Sequence, residues 1–404
     1  MKNFHTEKTS FFATIRSSIE NLFLASGINQ LSKYFGYAVL YFSFFYGQYI
    51  YVNSLVRENY PYQTSEWLIN YGSGFVRRGL FGTLFLLFTP DRSWIVWLLF
   101  FFQFSLYAAV FVYFAFQLKK RQPNWFLTLI VCSPAAICFS GWDPGAFGRK
   151  EVIGFLVLIA LAQSIQKNRS SRYEISWLSV GIILYTVGIF TWEPIALLIP
   201  SIAYVVYKSP QVTLVFRFRR LLIFLFSAIS FAGFLLSSIY HGSSDDVRKI
   251  CGKLIASGLQ GQDLCGGAIY WIGVTLNSGI NQVIQSYPGY FVYLPLGMFA
   301  MAPYVFTPWL SRHKLYFFWA AGFLAPLFII ALDYGRWISI FMVSSLIVLL
   351  AVDEIPNVQN KNMKYIAIGY ISVWGIPHSF PGGNDIPIVS LIMIPVKYFT
   401  KFTV

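Results

Sequence analysis

The sequence predicts an all-α, polytopic membrane helix bundle, and three observations carry that prediction. The chain is 56% hydrophobic and only 11% charged over 404 residues, with a mean hydropathy of +0.59, a balance foreign to soluble domains. Its apolar runs are continuous rather than alternating, so they read as helices and not as strands of a membrane barrel. Its charges collect in the gaps between those runs, and the gaps are of two kinds.

One kind is plainly basic: Lys119, Lys120 and Arg121; Lys167, Arg169 and Arg172; Lys208, Arg217, Arg219 and Arg220; Arg312 and Lys314; Lys361 and Lys364. The other holds mixed-charge clusters with glycine: GFVRRG at 74–79, WDPGAFGRKE at 142–151, TWEP at 191–194 and LDYGRW at 332–337. Under the positive-inside rule the basic gaps face the cytoplasm and the mixed ones the outside. With both termini counted inside, the inner segments hold 20 Lys and Arg against 5 acids, and the outer ones 10 against 11. The net charge of +14 is therefore an orientation signal, and no nucleic-acid partner is expected.

Taken in order, residues 1–33 read as a cytoplasmic amphipathic segment on the membrane surface, without a cleavable signal. Residues 34–404 read as a single transmembrane domain, with about twelve spans at 34–56, 94–117, 125–141, 151–166, 175–192, 194–207, 221–240, 289–310, 315–332, 337–352, 365–379 and 386–400. An even count with basic ends puts both termini in the cytoplasm. Residues 79–90 are apolar but too short to cross, so they predict a half-helix or surface helix lining a cavity. The loop 241–288 predicts two outer amphipathic helices, the first capped by Ser243 or Ser244 with Asp245 and Asp246 in its first turn. Cys251 and Cys265 lie in that loop, where an oxidising compartment permits a disulfide. Cys132 and Cys138 sit within an apolar span and read as packing residues.

Four clusters could carry chemistry. Arg77 and Arg78, on flexible backbone, suit a bidentate grip on phosphate; the alternatives are interfacial snorkelling or an ion pair with Glu58 or Glu66. Asp143, Arg149, Lys150 and Glu151 share an outer hairpin, where Asp143 could act as a base and the cations could hold an anion. Glu193 lies in a tight turn, and partial desolvation would fit it for acid–base work. Asp333 and Arg336 stand three apart, as each other's partner or as an oriented anion site. His241 and His378 are secondary candidates on the same face. No Walker loop, HExxH or Cys/His cluster is present, so no cofactor or metal is expected.

The arrangement resembles bacterial surface-polysaccharide polymerases of the Wzy type across most of the chain: many spans, a large outer loop in the second half, and outer-face arginines at 77, 78, 149 and 336 within GFVRRG, FGRKE and DYGRW. The resemblance implies a multi-pass protein of the bacterial inner membrane whose partners are the bilayer and glycans linked to polyprenyl diphosphate. It implies passage of a growing O-antigen or capsule chain from its lipid diphosphate to the next lipid-linked repeat, beside a chain-length regulator and a flippase. Arg77, Arg78, Arg149, Lys150 and Arg336 would then hold the diphosphate, while Asp143, Asp333 or Glu193 takes the hydroxyl proton. The competing expectations are a flippase or transporter of lipid-linked oligosaccharide and a membrane acyltransferase acting on a surface glycan. The first wants charges deep within helices and the second a His-centred site.

Overall fold

The structure is a computed structural model that describes residues 4–57, 62–88, 92–143, 145–209, 213–259, 264–353, 355–356, 358 and 362–379, and all regular elements among them are helical. In chain order they are α1 (Phe4–Val56), α2 (Tyr62–Trp67), α3 (Leu80–Phe88), α4 (Arg92–Lys120), α5 (Trp125–Val131), α6 (Phe139–Trp142), α7 (Glu151–Ser164), α8 (Ser171–Thr191), a 3-10 turn (Glu193–Leu198), α9 (Ile199–Lys208) and α10 (Thr213–Ile239). Then follow α11 (Ser244–Ala256), an irregular turn (Cys265–Ile272), α12 (Leu276–Gln285), α13 (Pro288–Val305), α14 (Pro308–Arg312), α15 (Lys314–Ile330), α16 (Tyr334–Val352) and α17 (Met363–Val373).

Four stretches among the described residues are long and apolar enough to cross a membrane: Trp94–Lys120, Ser171–Thr191, Arg217–Ile239 and Tyr334–Val352. Their surroundings fit that length. Large apolar side chains stand exposed along α4 and α10, among them Phe101, Val112, Phe224 and Phe231, a continuous apolar exterior that water would not tolerate. The centre is α16, with 83% of its apolar window buried, packed beside α7, whose residues from Glu151 to Ser164 are almost all buried. At 1.5 Å per residue the 19 residues of α16 cover about 28 Å, one hydrocarbon thickness.

Several expected spans are broken, and proline explains most breaks. The 125–141 stretch is α5, a run of turns after Ser133–Pro134, and α6; proline lacks the N–H and clashes with the preceding turn. This stretch is buried from Trp125 to Asp143, so its irregular backbone is covered by protein, as membrane depth requires. The 194–207 stretch begins as a 3-10 turn at Pro194 and becomes α9 at Ile199–Pro200. The 289–310 stretch splits at Thr307–Pro308 into α13 and α14, and 365–379 is helical only to Val373. In the other direction, residues 4–33 of the expected amphipathic segment and the span 34–56 are one helix, because no proline interrupts residues 4–56. The expected 386–400 span lies outside the described residues. Residues 80–88 form the short helix α3, and the loop expected at 241–288 holds α11 and α12, with Ser243 and Asp246 forming a capping box at α11.

Candidate functional site

The buried helices α7 and α16 both begin at the same end of the bundle, and each starts with ionisable residues: Lys150 and Glu151 for α7, Asp333 and Arg336 for α16. Two helix N-termini converging in an apolar interior favour negative charge there. The chain supplies carboxylates and then answers them with arginine.

Arg336 is the hub of a buried ionic group. It donates to Glu151 through Nε (3.1 Å to each oxygen) and Nη2 (2.6 Å to Oε2), to Asp333 Oδ2 at 3.2 Å and to Glu66 Oε1 at 3.4 Å. Its guanidinium carbon lies 4.9 Å from the Trp192 ring centre and 5.4 Å from that of Trp337, a placement that favours the cation. Arg149 joins from the other side: Nη1 is 3.6 Å from Glu66 Oε2, Nε donates to Gly145 O at 2.8 Å, and the guanidinium sits 4.2 Å over the Tyr62 ring. Burial alone would raise the Glu66 pKa, but the charges of Arg336 and Arg149 overcome it and hold Glu66 ionised.

A second group lies beside the first. Arg78 grips Glu193 with Nε to Oε2 at 2.8 Å and Nη2 to Oε1 at 2.6 Å, while Arg77 Nη1 stands 3.6 Å from the same carboxylate. Burial works against ionisation of Glu193, yet Arg78 lowers its pKa to about 2. Glu193 is thus a fixed anion and not the tunable acid its tight turn predicts. Arg78 itself has φ +68°, the left-handed region that costs a non-glycine residue about 1 kcal/mol or more. That conformation turns its carbonyl toward Lys150, whose Nζ donates to it at 3.2 Å. Lys150 is fully buried over Trp67. Its desolvation, only partly offset by Glu66, lowers its pKa to about 7.

The turn carrying Arg149 and Lys150 is held by its backbone. Gly148, at φ +80°, presents a carbonyl that accepts from Trp67 Nε1 (2.7 Å) and Gln103 Nε2 (2.8 Å), and Arg149 N donates to Tyr107 OH (3.1 Å). Asp143, upstream, accepts from Gly145 N (2.8 Å), from His378 N (2.6 Å) and, through both oxygens, faces His378 Nδ1 at 3.0 and 2.9 Å.

Arg77 ties this end to the segment that follows α10: its Nη2 donates to Trp271 O at 3.3 Å and its backbone N to Tyr240 O at 3.0 Å. Beside Trp271 opens a cleft of about 500 Å³ bounded by Tyr270, Asn281, Gln282 and Gln285. A disulfide joins Cys251 in α11 to Cys265 at the start of the irregular turn, with an S–S distance of 2.00 Å.

Thus Arg77, Arg78, Arg149, Lys150, Glu151, Glu193, Asp333 and Arg336 are gathered at one end, with Asp143 and His378 adjoining. His241 stands apart on the exposed surface, its Nδ1 by Ser238 O, and Glu58 lies outside the described residues. The partners differ in detail from those expected. Asp333 and Arg336 do pair, at 3.2 Å, but Glu151 takes most of the guanidinium. Each of the four arginines faces a carboxylate. Glu66, expected only as an alternative partner for Arg77 and Arg78, instead bridges Arg149 and Arg336; its one sequence signal is that it is the sole acid between 62 and 88. The flanking tryptophans 192 and 337 were legible only as neighbours of Glu193 and Arg336. Among the described residues no group of three His, Cys, Asp or Glu could hold a metal. Comparison with family models, with curated proteins and with solved structures gives no match.

Proposed function

We propose that the protein is a glycosyltransferase of the outer face of the bacterial inner membrane, which passes a growing glycan from polyprenyl diphosphate to a lipid-linked repeat unit. In this reading about twelve spans cross the membrane with both termini in the cytoplasm, and the ion cluster opens outward. One observation carries it: a cationic group and a cleft with sugar-binding composition are joined through Arg77, which faces Glu193 and holds Trp271 O. Aromatic rings beside amide side chains suit neutral, hydroxyl-rich ligands, and arginine suits diphosphate.

The roles divide by exposure. Arg77 and Arg78 have side chains 24% and 18% exposed and meet the diphosphate. Arg77 Nε is buried without a hydrogen-bond partner among the described residues, which leaves donor capacity for an anion. As the glycosyl–phosphate bond breaks, negative charge grows on the diphosphate and preorganised guanidiniums stabilise it. An arriving diphosphate also raises the proton affinity of Lys150, adding a cation when the leaving group needs one. Glu66, Glu151, Glu193 and Asp333 keep the guanidiniums in place while the site is empty.

The test is reconstitution in liposomes with lipid-linked repeat units. A ladder of longer lipid-linked chains is the expected result. Translocation without elongation would make the protein a flippase and overturn the reading, as would acyl transfer to the glycan.

A further inference from the structure

Glycosyl transfer needs a group that removes the acceptor's proton, and the expected bases are poorly placed for it. Glu193 is clasped by Arg78 and Asp333 by Arg336. Asp143 is buried and spends its oxygens on three donors: Gly145 N, His378 N and His378 Nδ1. Burial opposes its ionisation, but His378 and the two backbone donors lower its pKa. A carboxylate so occupied is a poor proton acceptor for substrate and a good anchor for an imidazole.

His378 has the complementary geometry. Its Nδ1 faces both oxygens of Asp143, which makes Nδ1 the protonated nitrogen and leaves Nε2 as the acceptor. Among the described residues Nε2 makes no hydrogen bond, and the side chain is 29% exposed, against 8% for Asp143. The ring is fixed as well as oriented. A Cβ at Gly145 would lie 2.5 Å from His378 Cε1, and one at Gly335 would lie 1.9 Å from Pro377 O, so two glycines are needed to seat this segment. Gly335 N donates to His378 O at 3.2 Å and Tyr293 OH to Pro377 O at 3.2 Å. His378 thus hangs one residue from Arg336 and, across Gly145, one hydrogen bond from Arg149.

We infer that His378 is the general base of the transfer and that Asp143 is its positioning residue. The inference rests on the glycosyltransferase reading. The acceptor hydroxyl oxygen attacks the anomeric carbon while its proton passes to Nε2. The bond from that carbon to the phosphate oxygen breaks, its electron pair leaves with the diphosphate, and the imidazolium returns its proton to water. Asp143 balances the imidazolium charge during the step.

His378→Asn tests this with the fold preserved, since the asparagine amide can still donate to Asp143 but has no Nε2. The expected result is loss of elongation by roughly 100-fold or more with lipid-linked substrate still bound. The wild-type rate should fall on the acid side as the imidazole takes up a proton, and the variant's residual rate should lack that limb. Asp143 from its own turn, Arg149 through Gly145, Tyr293 of α13, Asp333 and Arg336 of α16 and the nearby Lys150 all bear on that titration. Asp143→Asn should slow elongation and shift the limb without removing it, which a purely structural role would not do. Full elongation by His378→Asn with an unchanged pH profile would overturn the inference and leave the glycosyltransferase reading standing. If the wild type itself does not elongate, diethyl pyrocarbonate mapping of the intact protein decides. Modification of His378 in the wild type, slower without Asp143, is expected, and an unreactive His378 overturns the assignment.

Discussion

Each end of the bundle carries a histidine bound to an aspartate, and the two pairs differ in what they leave unused. At the basic end, His313 Nε2 lies 2.8 Å from Asp353 and its Nδ1 2.6 Å from Tyr204 OH, with the side chain 8% exposed. Both nitrogens are consumed, so the ring serves as a clamp between α9 and the start of α15. At the other end, His378 commits only Nδ1. The arginines divide in the same way. Arg312 is 57% exposed and reaches Asp353 at 3.5 Å, whereas Arg336 is 3% exposed and contacts three carboxylates. The basic end keeps its charge solvated, which costs little. The other end keeps its charge buried, where apolar packing would serve stability as well or better. Charge retained at such cost is the ground on which the proposed chemistry is placed at that end.

Deleting one hub from each end tests this contrast most strongly. Arg336→Ala would strand Glu151 and Glu66 in the core, and breaking a buried pair in this way costs about 3–5 kcal/mol. Arg312→Ala should cost less than about 1 kcal/mol, because its pair is exposed. Unfolding in detergent, followed by denaturant titration, reads both. Equal losses would mean that the two ends are energetically alike and would dissolve the comparison.

A smaller effect should come from changing the hand without removing its charge. Arg78→Lys keeps a cation near Glu193 but cannot supply two parallel donors. If Arg78 stabilises the leaving diphosphate, elongation should slow by ~100-fold, on the scale of a lost charge-stabilising donor, while the unfolding midpoint moves little. The matched change at the basic end, Lys119→Arg, should leave elongation untouched.

Titration gives a further check, because both buried groups make stability rise with pH, in separate windows. Glu193 has a folded pKa lowered to about 2 from 4.5, so it adds stability above the higher value and loses it as pH falls toward the lower one. Lys150 is lowered to about 7 from 10.5. Between those values the unfolded chain binds a proton that the folded chain lacks, so stability should rise with pH across that window. Lys150→Met should flatten the rise, and Glu193→Gln should flatten the acid loss. Stability curves from pH 2 to 11 for the three proteins check both signs.

How much of this was legible in the sequence depended on whether a signal was local. The helical class, the short helix at 80–88 and the capped helix after Ser243 follow from runs of apolar residues and from Ser–Asp spacing. The four clusters stand out because ionisable residues are rare in so apolar a chain. The pairing of those clusters was not legible. Arg78 and Glu193 are 115 residues apart, Glu151 and Arg336 are 185 apart, and Asp143 and His378 are 235 apart, and no periodicity links such positions. The continuity of the expected spans was over-read for a related reason. Pro134, Pro194 and Pro308 each break a helix within an apolar run, and hydropathy averaged over a window hides a single missing N–H.

The smallest expected effect lies in the 241–288 loop, which meets the charged group at its edge through Arg77 and Trp271. The Cys251–Cys265 disulfide closes a loop with a sequence separation of 14, and such a closure restricts the unlinked loop by about 3 kcal/mol in the chain-entropy account. That energy orders α11 against the Cys265–Ile272 turn, which carries Tyr270 and Trp271 to the cleft and rests on α2, where Ala268 N donates to Ser65 Oγ at 2.9 Å. Cys251→Ser with Cys265→Ser should leave the global unfolding midpoint nearly unchanged. Substrate should bind more weakly, by about tenfold if half of the ordering energy is drawn from binding, with the maximal elongation rate retained. An increase in apparent KM at constant kcat would match a loop that presents the glycan while the buried end does the chemistry. A fall in kcat at constant KM would instead tie the loop to the arginines through the Arg77–Trp271 bond, and the separation between presenting loop and reacting core would fail.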